Sequence, residues 1–531
     1  MRYSYPILLI LFILWMCIGI FPLECYETDG QEIILGCDIM YNEGWKLPPV
    51  YSYAYWMQPL CTILIVGIKH IIPVLTCEQI YCLLTVIASL FFLFGSISFA
   101  RHITKASKTR ILIAAMLLPE MYAIAMYPNT AIPAAACFVW TLVFLTKKRY
   151  WQAAVLMCIA VLFRLDIVMV FPVILPLLWY EGKTFIRSFG ISAIYGVIVI
   201  VASFFLFWIV GAQLLHTMDE YDLKNGLVFT QIALSVLGYY SLAYLILLPI
   251  GLCIIAANKQ WKLILMIILP ILLSHYFTMG SASKHFLYNS PFVIIAGVYA
   301  LSWLENLLKE KPVLKWACFV FVLLFMTVSI RKQNLNMPWL KENPLHQVGI
   351  ATPIYQTQRA SSEYTLGIGA GYQIITADEN MLLTGHLFYS WYIHSIKNII
   401  GDWRRQQLEV LQNAPTSNIL AFEWGTLSPV AFELVKQQKQ FHQIENMPEE
   451  YMFTISDSKQ DLHFWRVPMY EDITDCQKIL TDVDSLSKKF LKGDLYLVAG
   501  SNHYSTSHLM DDMVKMGKAE KKAETVYRMN R

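Results

Sequence analysis

Apolar residues in the first 330 positions come in long blocks, where a soluble fold would interleave them with polar ones. Blocks near 6–21, 79–100, 111–127, 130–146, 151–163, 167–180, 188–210, 233–257, 262–279, 290–308 and 313–330 approach the roughly 20 residues that an α-helix needs to cross about 30 Å of hydrocarbon. Eleven spans are therefore expected. The block Pro59 to Val74 is also apolar, but Lys69 and His70 interrupt it and Pro73 ends it. Beyond position 331 the pattern changes to short mixed elements. Trp403 to Leu411 and Val430 to Gln440 read as amphipathic helices, while Asn418 to Glu423, Tyr451 to Ile455, Leu462 to Val467 and Leu495 to Ala499 read as strands. A charged tail from about Leu509 to Arg531 reads as helical.

Composition agrees with that division. The 531 residues are 56% hydrophobic and 15% charged, against about 25% charged in an ordinary soluble chain. A positive mean hydropathy of +0.48 with a net charge of only +3 excludes a disordered chain and a nucleic-acid binder, which would need a concentrated basic surface. Of 79 charged residues, 35 fall in 1–330 and 44 in 331–531. The expected organisation is a polytopic α-helical membrane domain over 1–330 and a water-exposed α/β domain over 331–531.

Placement of Lys and Arg orients the membrane domain, because basic residues flanking spans are retained in the cytoplasm. If Pro59 to Val74 lies on the outer surface without crossing, 15 of the 20 basic residues of 1–330 fall inside and 12 of its 15 acids fall outside. A crossing there would invert every later loop. The N-terminus is thus expected inside, with residues 1–23 as an uncleaved first helix, since Gly19-Ile20-Phe21-Pro22 offers no small-x-small cleavage site. The C-terminal domain is expected outside the cytoplasm.

This topology gathers chemistry on one face. The first outer loop, 24–78, opens with Glu24, Glu27, Asp29 and Glu32 and continues through Asp38 and Glu43, six acids against Lys46 in residues 24–58. Carboxylates close behind a membrane helix are costly unless they bind something or stay wet. Arg164 and Asp166 sit between two apolar runs, as a helix break beside a cavity or as an interfacial salt bridge. The segment Lys284-His285-Phe286-Leu287-Tyr288-Asn289-Ser290-Pro291 puts cations on the side where cations are scarce, suited either to a phosphate at headgroup level or to anchoring a helix end. Glu120 lies beside the expected outer turn at Tyr127-Pro128-Asn129. The twelve histidines include no HExxH and the eleven cysteines no CxxC, so no dedicated zinc site is expected. Gly367-Ile368-Gly369-Ala370-Gly371 lacks the spacing of a dinucleotide cradle and reads as a turn.

Together these features resemble the GT-C class of integral-membrane glycosyltransferases, which includes the protein mannosyltransferase and aminoarabinose transferase families and the eukaryotic lipid-linked mannosyltransferases. Glu27-Thr28-Asp29 stands at the position of that class's acidic motif, Gly44-Trp45 at its Gly stretch, Gln58-Pro59-Leu60 at its surface helix, and Lys284 to Phe292 at its basic and aromatic entry to a late span. The acidic motif departs from the usual adjacent pair because Thr28 intervenes, and the late loop carries Lys284 and His285 where an Arg is usual.

The resemblance implies a multi-pass enzyme, in the bacterial inner membrane, that moves a sugar from a polyprenyl-phosphate-linked donor to a lipid, glycan or protein acceptor at the extracytoplasmic face. On that reading Asp29, with Glu27 beside it, is the general base. Lys284, His285 and Arg164 face the lipid phosphate, with Asp166, Glu120 and Tyr288 also lining the substrate site. Some members of the class hold a divalent cation on outer carboxylates, a role open to Glu27, Asp29 and Glu120. A transporter or flippase, or a polymerase, of lipid-linked glycans is the alternative. The flippase reading predicts mid-membrane charges and repeated halves, and neither is visible in the sequence.

Overall fold

The computed structural model describes residues 4–18, 28–42, 59–118, 129–210, 242–278, 287–311, 365–368, 372–375, 405–421, 476–498 and most of 430–466 and 504–530, together with 121, 313–314 and 317–318. Its first part is all helical: α1 (Ser4–Ile18), α2 (Thr28–Asn42), α3 (Pro59–Ile71), α4 (Cys77–Thr104), α5 (Lys108–Met116), α6 (Ala131–Thr146) and α7 (Tyr150–Phe163). A 3-10 segment (Leu165–Val173) follows, then α8 (Ile174–Tyr180), α9 (Phe185–Val210), α10 (Leu242–Ala257), α11 (Trp261–Thr278) and α12 (Ser290–Leu307). Among the described residues, three helices are long and apolar enough to cross a membrane, over Cys77–Thr104, Phe185–Phe205 and Leu287–Leu307, and the other apolar helices are shorter. The expected span at 313–330 lies largely outside the described residues.

Local rules explain the helix boundaries. Thr76 caps α4 in a reciprocal box: its hydroxyl accepts the Gln79 amide N–H at 3.1 Å, and its own amide donates to the Gln79 side chain at 3.0 Å. The helix α3, with 13 residues, is only about 20 Å long and so falls short of the hydrocarbon thickness. It packs beside α2, α4 and α7. Between Arg164 and Tyr180 the chain was expected to be one span from 167. It is instead wound as nine 3-10 residues and then seven α residues. The larger rise per residue of the tighter-wound 3-10 helix stretches those residues to roughly 28 Å, where an α-helix would reach about 24 Å.

Packing among the helices uses aromatic rings and small residues. Phe292 of α12 meets Phe99 of α4 edge-on at 5.7 Å and Phe138 of α6 at 6.4 Å, and Phe138 stacks on Phe171 of the 3-10 segment at 6.2 Å. The helices α10 and α12 approach so closely that a Cβ at Gly251 would overlap the Ala296 carbonyl, and one at Gly297 would overlap the Tyr244 hydroxyl. Tyr244 in turn donates to the Ala114 carbonyl at 2.7 Å. Small residues admit backbones this near where lipid supplies no hydrophobic drive between helices.

One end of the bundle is basic. The C-terminal end of α4 meets that of α8 through His102 and Glu181 at 3.0 Å, and the start of α5 meets the end of α12 through Arg110 and Glu305. Lys262 at the start of α11 donates to the Trp179 carbonyl at 3.1 Å and lies 4.9 Å from the Trp179 ring, and Lys183 lies over Tyr150 at 5.2 Å. At three turns of this end Lys105, Lys148 and Lys259 adopt left-handed backbone, with φ near 57°, 58° and 55°. That conformation is the usual place for glycine.

The second part holds a two-stranded antiparallel sheet and a seven-stranded one. β1 (Thr365–Ile368) pairs with β2 (Tyr372–Ile375), so Gly367 and Ile368 of the stretch expected to turn lie instead within a strand. The larger sheet contains β3 (Ser417–Ala421), β4 (Gln440–His442), β5 (Tyr451–Ser456), β6 (Asp461–Arg466), β7 (Asp494–Val498), β8 (Ala519–Ala523) and β9 (Val526–Met529), with α13 (Cys476–Ser487) before β7 and α14 (Tyr504–Lys515) after it. Strand order is β4-β5-β6-β3-β7-β9-β8. The central β3 is parallel to both neighbours, and the outer pairs are antiparallel. One sheet face packs Ile419, Phe464 and Val498 against Leu411, Val430 and Leu434, and the other packs Leu420, Trp465 and Leu497 against Leu480 and Val483 of α13 and Met510 and Met513 of α14. In β3 the buried Asn418 has its amide group paired, accepting from Trp465 Nε1 at 2.9 Å and the Leu491 amide at 3.2 Å and donating to the Leu491 carbonyl at 2.8 Å.

Two expectations are corrected here. The tail is not helical to its end: after α14 it forms the hairpin of β8 and β9 on the sheet edge. Val526 and Tyr527 bury there, while Glu520, Lys521 and Lys522 face outward. A charged outer strand is how a sheet edge is kept from pairing further, and such charge resembles a solvated helix when read along the chain. Likewise the helix expected over Val430 to Gln440 gives way before Gln440, which begins β4.

Candidate active site

At the end of the bundle opposite the basic turns, polar side chains from four segments meet. Arg164 follows the last turn of α7 in extended backbone, φ −163° and ψ 121°, and so turns off the helix axis. Its Nε donates to Asp166 Oδ2 at 2.7 Å, and its Nη1 donates to the Thr130 hydroxyl at 3.1 Å, just before α6. The second oxygen of Asp166 accepts the Tyr288 hydroxyl at 2.7 Å. Arg164 and Asp166 are each 9% exposed, and Tyr288 and Thr130 each 1%. Nearby in sequence, Asn289 at the start of α12 donates its amide to Ser274 of α11, and both are buried. Asn129, also buried, accepts the Ile132 amide at 3.1 Å and so holds the entry to α6.

Burial raises the stakes of this pair. Removing two charges from water costs several kcal/mol per ion, recovered only by close geometry and further hydrogen bonds. Here Asp166 receives a guanidinium on one oxygen and a phenol on the other, which is the compensation a buried carboxylate requires. The arrangement holds a guanidinium in place in a dry setting, where a fixed cation stabilises developing negative charge far more than in water.

The structure thus brings together three of the residues picked from the sequence, Arg164, Asp166 and Tyr288. The first-loop helix lies close by: Phe163 packs against the cluster that Ile33, Cys37 and Met40 of α2 form with Cys61 and Ile65 of α3 and Ile80 and Tyr81 of α4. Asp29 falls in the first turn of α2, and its side chain is outside the described part. Glu27, Glu120, Lys284 and His285 lie outside the described residues altogether, so the carboxylate set open to a divalent cation does too. Among the described residues, no group of three His, Cys, Asp or Glu side chains is placed to hold a metal. Thr130 and Ser274 were not picked from the sequence. Each sits at the edge of, or within, an apolar run where a lone hydroxyl carries no signal.

A second buried polar network lies in the sheet domain. Tyr451, Thr454 and His463 are linked hydroxyl to hydroxyl to Nδ1 at 2.7 Å each. Burial, opposed by Asp461, holds the His463 imidazole pKa below its ordinary value. Its partners are all structural, which sets it apart from the membrane-end cluster.

No protein-family model matches the sequence, and no curated protein matches it. Solved structures do. ArnT from Cupriavidus metallidurans in the apo state shares 11% identity at a TM-score of 0.52, over 98% of this chain and 97% of that one. The same protein bound to undecaprenyl phosphate matches at 10% identity and a TM-score of 0.48, over 98% and 97%. An Archaeoglobus fulgidus oligosaccharyltransferase in complex with Zn and sulfate matches at 10% and 0.44, over 93% of this chain and 67% of that one. The likeness to apo ArnT runs nearly end to end. Over that length the chain shares the fold of ArnT from Cupriavidus metallidurans.

Proposed function

We propose that the protein is a glycosyltransferase that moves a sugar from a polyprenyl-phosphate-linked donor to a lipid, glycan or protein acceptor at the extracytoplasmic face of a bacterial inner membrane. The observation that carries this reading is the buried Arg164–Asp166–Tyr288 cluster at the non-basic end of a GT-C fold. The acceptor hydroxyl attacks the anomeric carbon and passes its proton to Asp29 in the first outer loop, with Glu27 alongside. The new carbon–oxygen bond forms as the bond from that carbon to the phosphate oxygen breaks, and the electron pair leaves with the lipid phosphate. Arg164, Lys284 and His285 stabilise that anion; Asp166 and Tyr288 hold Arg164 in place, and Glu120 is assigned to the substrate site. Outer carboxylates suit a divalent cation, which would supply further charge stabilisation. Residues 1–330 form the catalytic membrane domain, and 331–531 the domain outside the cytoplasm.

The test is transfer from a radiolabelled polyprenyl-phosphate sugar in membranes. Asp29→Asn is expected to lower turnover by roughly 10²- to 10⁴-fold, the usual contribution of a general base. Parent-like turnover by that variant removes Asp29 from the role. No transfer by the parent with any such donor overturns the reaction and leaves the flippase reading.

A further inference from the structure

The helix α2 is buried on two opposed sides by two different parts of the molecule. Ile33, Ile34, Cys37 and Met40 are 0–3% exposed and pack with α3 and α4. Leu35, 0% exposed, instead belongs to the apolar cluster of the seven-stranded sheet, with Leu411, Ile419, Leu434 and Phe464. At 100° per residue Leu35 lies about 160° around the helix from both Ile33 and Cys37, so the two contacts clamp α2 from opposite faces. An outer-loop helix between two apolar neighbours loses the freedom to rotate or slide. Asp29 stands six residues before Leu35, on the order of 9 Å along the axis.

We infer that the C-terminal sheet domain is a positioning element for the active-site loop, acting through Leu35, which seats α2 and thereby sets the place of the acid in its first turn. This rests on the reading of Asp29 given above. Leu35 touches no substrate on this account; it acts through the helix. A displacement of about 1 Å at a reacting group costs on the order of 10²-fold in rate, so a loosened seat shows in turnover before it shows in folding.

The experiment uses the full chain. Leu35→Ala is expected to lower kcat by at least about tenfold with the KM for the lipid-linked donor within roughly twofold, since Arg164 and its partners stand on other elements. Leu35→Met, which conserves volume, is expected to restore turnover. Amide exchange should quicken over 28–42 in Leu35→Ala and stay unchanged in β3 and β7, showing a loosened helix on an intact sheet. The decisive comparison is a double variant: in the background of Asp29→Glu, whose carboxylate is already displaced, Leu35→Ala should cost much less than in the parent. Parent-like kcat in Leu35→Ala, or a loss that adds fully to that of Asp29→Glu, overturns the inference. An Asp29→Asn variant with parent-like turnover overturns the assignment of the base instead, so the two failures are told apart.

Discussion

Both ends of the helical bundle carry ion pairs, yet the two sets do different work. At the basic end Arg110 and Glu305 keep 31% and 45% of their side-chain surface, and His102 and Glu181 are also partly exposed. Pairs in such wet settings are worth about 0–1 kcal/mol; their value lies in where they place positive charge, which orients the spans. At the other end Arg164 and Asp166 keep 11% and 6%. A pair this deep is expensive to assemble, and a hydrophobic replacement would often be as stable. On the proposed reading, charge at the basic end orients the spans and charge at the opposite end serves the chemistry. The left-handed lysines sharpen the contrast, since roughly 1–2 kcal/mol per residue is the ordinary cost of that backbone for a side chain, and here it keeps three cations where glycine would add none.

The largest expected effect breaks the deep pair. Arg164→Ala leaves Asp166 buried without its cation and should lower unfolding stability in detergent by about 3–5 kcal/mol, with sugar transfer falling roughly 10²-fold or more. Thermal unfolding and the radiolabel assay read the two losses. Tyr288→Phe keeps the pair and removes only the phenol donor to Asp166 Oδ1. Its cost should be about 1–3 kcal/mol, with turnover down on the order of tenfold. Arg110→Gln, at the wet end, should shift stability by less than about 1 kcal/mol and leave transfer unchanged. If Arg110→Gln proved as damaging as Arg164→Ala, the distinction between the two ends would collapse.

The Arg164–Asp166 pair was legible because both residues are charges in an apolar background. Arg164 and Asp166 are two positions apart, and a charge pair between apolar runs is conspicuous along a chain. Tyr288 was found through its loop rather than its partner, because nothing local ties it to a carboxylate 122 positions away. Thr130 and Ser274 escaped notice, since hydroxyls are common in membrane helices and take their meaning from what faces them. The same limit explains the tail. Alternation over Val526 to Met529 is too short to outweigh the charge around it, and its strands form because β7 offers an open edge.

From its order of apolar blocks and its few charges alone, the sequence determined that this is a multi-pass membrane protein with a mixed C-terminal part, and which turns carry the basic residues. These are properties of segments, set by hydrophobic length and charge, and each segment expresses them on its own. Only tertiary packing decided that α6, α7, α11 and α12 turn their non-basic ends to one place, and that Arg164 there finds Asp166, Thr130 and Tyr288. Only packing, too, seated Leu35 of the first loop in a sheet built some 400 residues later. Such contacts depend on where helix axes cross and which faces meet, and those are settled by the mutual fit of side chains from distant segments.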